Sequence, residues 1–292
     1  MRNFLHRLWQ VITFPFRFVW RIISWPFRKA HVFITTEPED HSLPDVLADT
    51  VQHPTAALEH IDALRKHLTR MLVGLILAVA ICFAYTQNMV DFLAGPIGGL
   101  EELRAIDVTE SVGVFMRVAL LSGFALVSPY LAFELWLFAA PGLRPRERIA
   151  GLIGIPLVAV FLIAGMAFAY YVLFPSALPF LLNFMGIQTI PRPSSYINFV
   201  TGLMFWIGVA FEFPLVMYVL TAMGIVKPVV LLRNWRIAMI IIAISAAAIT
   251  PTVDPVNMGL VMAPMILLYF ISIGLSYIAS AGRRKNAAVS SS

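Results

Sequence analysis

Hydrophobic positions in this chain come in long unbroken runs, not in alternation. Runs at about 71–93, 114–140, 149–174, 196–222, 237–249 and 256–278 carry almost no charge. A helix needs about 20 apolar residues to cross hydrocarbon some 30 Å thick. The fifth run is the exception, reaching only about 20 Å at 1.5 Å per residue. Lipid offers no hydrogen bonds, so spanning elements are helices or closed barrels, and continuous runs select helices over alternating strands. The pattern predicts an all-α integral membrane protein. It has six transmembrane helices, short fifth and sixth spans, and an amphipathic N-terminal extension.

The polar pattern divides the remainder. Residues 1–30 have apolar stretches, but Arg7, Arg17, Arg21 and Arg28 interrupt each one, which argues against both a span and a signal peptide. At 100° per residue, Arg2, His6, Arg7, Gln10, Thr13, Arg17, Arg21, Ser24 and Arg28 share an arc roughly 140° wide. Trp and Phe fill most of the rest, which predicts a basic aromatic arm lying on an anionic leaflet. Residues 31–58, with Glu37, Glu39, Asp40, Asp45 and Asp49, read as an acidic linker. An amphipathic stretch, EHIDALRKHL (59–68), leads into the first span. The membrane domain runs over 59–280, and residues 281–292 form a basic, polar tail.

Composition agrees: 60% of the 292 residues are hydrophobic and 13% charged, and mean hydropathy is +0.84. A soluble core cannot hide that much apolar surface. Cys82 is the only cysteine, so no intrachain disulfide or cysteine zinc site is possible. All six histidines (His6, His31, His41, His53, His60 and His67) precede the first run, leaving the membrane part without an imidazole for a metal, proton relay or triad. Phosphate-loop and zinc-helix motifs are absent. No metal, cofactor or nucleic-acid partner is expected. Even-numbered spans put both termini on one side. Of 21 Lys and Arg residues, all but Arg104, Arg117 and Arg192 then fall on that side. The positive-inside rule makes it cytoplasmic.

Few charges interrupt the runs. Glu212, in GVAFEFPL, lies within the fourth, where a carboxylate must be protonated, paired or wet. Glu134 lies about two turns before Pro141, shallow enough to snorkel to the cytoplasmic interface. Asp254 sits in a turn on the opposite side, where Asp also caps helix starts. After Pro141-Gly142 comes a cytoplasmic turn with Arg144, Arg146, Glu147 and Arg148. Glu147 among these arginines is either a binding acid or an ion pair at a helix start. Asp62 has Arg65 and Lys66 as partners at i+3 and i+4.

The segments SPYLAFELWLFAAPGLRPRER (128–148), GMAFAYYVLFP (165–175), GVAFEFPLVMY (208–218) and TPTVDPVNMGLVMAPM (250–265) together resemble the TatC family. EHIDALRKHL is similar to that family's His-Leu-x-Glu-Leu-Arg motif, matched here at His60, Leu64 and Arg65. The resemblance covers roughly residues 59–280. It implies a multispanning receptor of the twin-arginine translocase in the cell inner membrane. Such a receptor binds paired arginines of signal peptides of folded cargo. It works with single-span TatA- and TatB-type partners on the proton-motive force, as a homo- or hetero-oligomer in the bilayer. The signal-binding acid falls on Glu147, with Phe138 and Pro141 in its motif. The intramembrane acid falls on Glu212, grouped with Glu134 and Tyr170. A far-side proline and acid fall on Pro129 and Asp254. The lead-in motif's glutamate is Ala63 here, so Glu59 or Asp62 supplies the second acid. The second-span motif's Gln is Glu134, and the last span has Met258 where the family has Gln.

Two other classes compete. A proton-coupled small-solute transporter would use Glu212 and Glu134, but the halves of the chain show no clear repetition. An intramembrane enzyme would need a triad or metal cluster that the sequence lacks.

Overall fold

The computed structural model describes residues 54–142, 145–183, 190–250 and 255–290. Within these, the side chains of 54–60, 142, 145–147, 149–150, 153, 180 and 282–290 lie outside the description. The arm at 1–30 and the linker as far as residue 53 also lie outside the described residues.

Among the described residues there is no strand. Helix α1 (Pro54–Cys82) passes through a 3-10 turn into α2 (Thr86–Ala94). Helix α3 (Glu110–Ala139) is followed by α4 (Pro145–Phe168), a π-helical turn (Ala169–Leu173) and α5 (Phe174–Leu182). Then come α6 (Pro193–Ala222), α7 (Pro228–Arg233), α8 (Trp235–Ile249) and α9 (Pro255–Ser290). Five stretches are long and apolar enough to cross a membrane, and Trp235–Ile249 is a shorter apolar helix. Its 15 residues give about 22 Å of rise, so the short fifth element stands.

Two expectations change. The sixth run is not short, since its apolar part covers Pro255–Ala281, 27 residues, within a helix that continues to Ser290. The third run does not end at Pro175. The π-helical turn comes first, and Pro175 then occupies the first turn of α5. A proline there has no partner to lose, so the helix resumes.

Small residues let the long helices meet. A Cβ on Gly123 of α3 would lie 2.8 Å from the Val79 backbone on α1, and one on Gly165 of α4 would lie 2.8 Å from Gly208 Cα on α6. Such close approach is how membrane helices gain packing without a hydrophobic drive between them. The main core includes Val118, Leu173, Phe174, Ile197, Val200 and Ile207, each at most 3% exposed. At the end remote from Pro141, the Tyr170 hydroxyl donates to the Phe92 carbonyl at 2.8 Å, and the Tyr196 hydroxyl to the Leu93 carbonyl at 2.7 Å. Arg192 pairs there with buried Glu110. These contacts tie α2 and the start of α3 to the π-helical turn and to α6, forming a cap.

Candidate functional site

The Pro141 hairpin is built by side chains that close its turn. Helix α3 ends at Ala139, a 3-10 turn covers Ala140–Gly142, and α4 starts on Pro145. A proline suits a first helical position because its missing N–H has no partner there anyway. Arg148, only 4% exposed, donates from Nε to the Ala140 carbonyl at 2.9 Å. Trp136 Nε1 donates to the Arg148 carbonyl at 3.1 Å, and its ring stacks on Phe133. Arg148 is thus no surface arginine beside Glu147, as expected above, but a strut of the turn. Glu147 lies in the first turn of α4, and its side chain is outside the described residues.

Helix α1 reaches this hairpin from the side. Leu64 and Arg65 of the lead-in motif face outward, Leu64 at 46% exposure. Asp62 pairs with Lys66 at 3.8 Å, both well exposed. Asp62, Ala63, Lys66, His67 and Arg70 line a pocket of about 250 Å³. The side chains of Glu59 and His60 lie outside the described residues. The pocket therefore includes Asp62 and the position Ala63 itself.

Glu134 overturns its expected placement. Its residue is 2% exposed, so it does not snorkel. His67 Nδ1 lies 2.5 Å from Glu134 Oε2, the Tyr130 hydroxyl donates to Oε1 at 2.9 Å, and Arg70 stands 3.8 Å from Oε2. A buried carboxylate persists when its lone pairs are met in this way. His67 also meets Phe138 edge-on at 6.1 Å between ring centroids. The expectation that no imidazole serves the membrane part fails here, because α1 begins well before the apolar run and carries His67 against α3. Sequence reasoning missed His67, Arg70 and Arg148. For the first two a signal existed: one turn apart at i and i+3, they form a basic face opposite an acid in need of partners.

The remaining residues lie elsewhere. Both Glu212 carboxylate oxygens are buried without a hydrogen-bond partner among the described residues, beside the Leu162 backbone. Glu212 is one turn beyond Gly208, where α4 and α6 touch. Tyr170 lies in the π-helical turn, stacked on Phe92 at 4.5 Å, and belongs to the far cap. Pro129 does not lie at the far side. It is inside α3, about 15 Å of helix from the Ala139 end. It removes a donor from the Ala125 carbonyl, and the Ser128 hydroxyl supplies another at 2.9 Å, so the helix continues. Asp254 lies outside the described residues.

A family model described as Sec-independent protein translocase protein (TatC) matches residues 59–264. The chain belongs to the TatC family. The TatC protein of Carboxydothermus hydrogenoformans is 33% identical over 223 residues, covering 75% of this chain and 92% of its own. TatCy of Bacillus subtilis is 33% identical over 243 residues, covering 79% and 92%. A crystal structure of the twin-arginine translocase receptor TatC is 29% identical, with a TM-score of 0.66, covering 76% of this chain and 99% of that one. Membership makes this TatC chain a membrane component of protein transport by the Tat route.

Proposed function

We propose that this chain is the receptor of a twin-arginine translocase in a bacterial inner membrane. It crosses six times, with both termini in the cytoplasm, and the arm at 1–30 rests on the anionic leaflet. Signal peptides of folded cargo bind where α1 meets the Pro141 hairpin. Glu147 takes one arginine, and Asp62 or Glu59 takes the role that Ala63 cannot. Leu64, Arg65, His60, Phe138 and Pro141 complete the surface. TatA- and TatB-type partners assemble with it, and the proton-motive force drives transport through a region containing Glu212.

The observation that carries this reading is the pocket at Asp62 and Ala63, joined to the hairpin through His67 and Phe138. It offers a space beside Asp62, and Glu147 belongs to the first turn of the helix that the hairpin leads into. Guanidinium pairs are best met by carboxylates at fixed spacing, since each makes a two-pronged contact that an ammonium cannot. A small-solute transporter has in its favour only Glu212, which lacks a hydrogen-bond partner among the described residues, and membership of a protein translocase family stands against it.

The test is binding of a twin-arginine peptide to the purified protein. A charge-assisted contact contributes about 1.5–3 kcal/mol, so Glu147→Gln weakens binding roughly ten- to a hundredfold. Glu147→Lys is worse. A peptide with lysines in place of both arginines binds wild type more weakly and loses little more on Glu147→Gln. Equal losses for both peptides would reduce Glu147 to general surface charge.

A further inference from the structure

Three groups converge on one buried carboxylate where α1 meets α3. His67 Nδ1 and Arg70, one turn apart on α1, stand 2.5 and 3.8 Å from Glu134 Oε2, and the hydroxyl of Tyr130 on α3 donates to Oε1 at 2.9 Å. Glu134 does not itself line the α1 pocket. The two α1 groups that it holds do, together with Asp62, Ala63 and Lys66. Phe138, four residues after Glu134 and on the same face of α3, meets the His67 ring edge-on, and Pro141 follows three residues later. The carboxylate therefore stands between the pocket and the hairpin.

Nearby packing sets how closely the two helices approach. A Cβ on Gly74 of α1 would lie 2.7 Å from Tyr130 Cε1, and Gly123 of α3 meets Val79 as described above. Contacts of that kind are not directional, whereas hydrogen bonds weaken steeply off their axis. Two α1 groups about 4.5 Å of rise apart, gripping one carboxylate, hold both the height and the rotation of α1. Rotation matters at this point because Asp62 and Ala63 differ by 100° around the helix. A small turn of α1 changes how far the Asp62 carboxylate stands from the hairpin.

We propose that Glu134 is a positioning residue for peptide recognition: by fixing α1 against α3 through His67 and Arg70, it sets the spacing of arginines that the site accepts. The inference rests on the receptor reading above and adds to it a determinant of specificity that need not touch the peptide. Two guanidinium groups are met together only when the groups that receive them keep a constant separation. One of those groups belongs to α1 and the other to the helix after the hairpin. Glu134 joins α1 to the helix that leads into that hairpin.

The experiment measures the affinity of the full chain in lipid nanodiscs for two peptides, one with adjacent arginines and one with a glycine inserted between them. Wild type prefers the adjacent pair. In Glu134→Leu, affinity for the adjacent pair falls roughly three- to thirtyfold, within the range of coupling inside one hydrogen-bonded network. Affinity for the spaced pair falls less, so the preference narrows. Glu134→Gln keeps one acceptor oxygen and retains part of the preference. A role in stability alone would lower both affinities by one factor, through the folded fraction, and leave their ratio as in wild type. That result overturns the inference. If Glu134→Leu does not fold, the ratio in Glu134→Gln decides, and a wild-type ratio there overturns it. Equal binding of the two peptides by wild type also overturns it and leaves the receptor reading intact. Absence of binding of either peptide by wild type overturns both.

Discussion

Arg148 donates from Nε to the Ala140 carbonyl at 2.9 Å, and its own carbonyl accepts the Trp136 indole N–H at 3.1 Å. Two helices joined by a Pro-Gly turn are thereby clasped by one residue. Arg148→Ala takes away a charged donor and is expected to cost about 1.5–3 kcal/mol. Arg148→Lys recovers only part, because an ammonium cannot reproduce the Nε position. Thermal unfolding in detergent reads the loss, with Glu147→Gln as the control whose midpoint stays put. An unchanged midpoint for Arg148→Ala would mean that the turn is held by other contacts.

Helix contact at Gly123 leaves no room for a methyl group. Gly123→Ala sets a Cβ 2.5 Å from Val79 Cγ2 and 2.8 Å from its backbone, so α1 and α3 must separate, at about 1–3 kcal/mol. Gly202→Ala, on α6 with nothing within 4 Å, should be neutral or slightly stabilising, as Ala exceeds Gly in helix preference by up to about 1 kcal/mol. Unfolding midpoints for the two variants, moving in opposite directions, check the packing. The same sign for both would place the effect outside this contact.

Glu212 has both oxygens buried without a hydrogen-bond partner among the described residues. Glu212→Gln and Glu212→Leu should keep the protein folded, since neither strands a partner and Leu removes a polar group from an apolar setting. Export of a reporter in cells should fall in both, and further in Leu. Loss of protein level in both variants, tracked by immunoblot, would instead mark Glu212 as a structural group.

The far cap hangs on two hydroxyls. Tyr196→Phe leaves the Leu93 carbonyl without a donor in a buried place, and about 1 kcal/mol is expected. Tyr170→Phe costs less, because the Phe92 carbonyl is exposed and also accepts from the Gly95 N–H. Hydrogen exchange at the Gly98 and Gly99 amides, which close the turn after α2 on Gly95 and Ala94, should quicken in either variant. Unchanged exchange at both would show that stacking of Tyr170 on Phe92 is sufficient to hold the cap.

The helices were legible because lipid makes length and apolarity decisive: runs of the required length became helices, and the short run became the short helix α8. Glu212 was legible because a carboxylate within a run has few cheap explanations. Glu134 was misread because its partner His67 is 67 positions away; no local pattern joins them. Arg148 was misread because an arginine after a turn looks like solvent-facing charge, and nothing in RPRER tells a strut from a surface group. The third run was bounded at about residue 174 because sequence spacing gives no sign of the π-helical turn that carries the helix past Pro175. Pro129 was grouped with the far-side turn by the resemblance alone, and no local pattern showed that it sits inside α3 with the Ser128 hydroxyl on the Ala125 carbonyl.

Helix α1 and its continuation α2 are fastened at two places, Glu134 near the pocket and the Tyr170–Tyr196 pair at the cap. Between them the run rests mainly on α3, and only 11% of its apolar window is buried, against 39% for α3. The hold on this stretch therefore comes from its two ends and from the close contact of Gly123 with Val79 between them, and its other side is left to whatever surrounds the bundle.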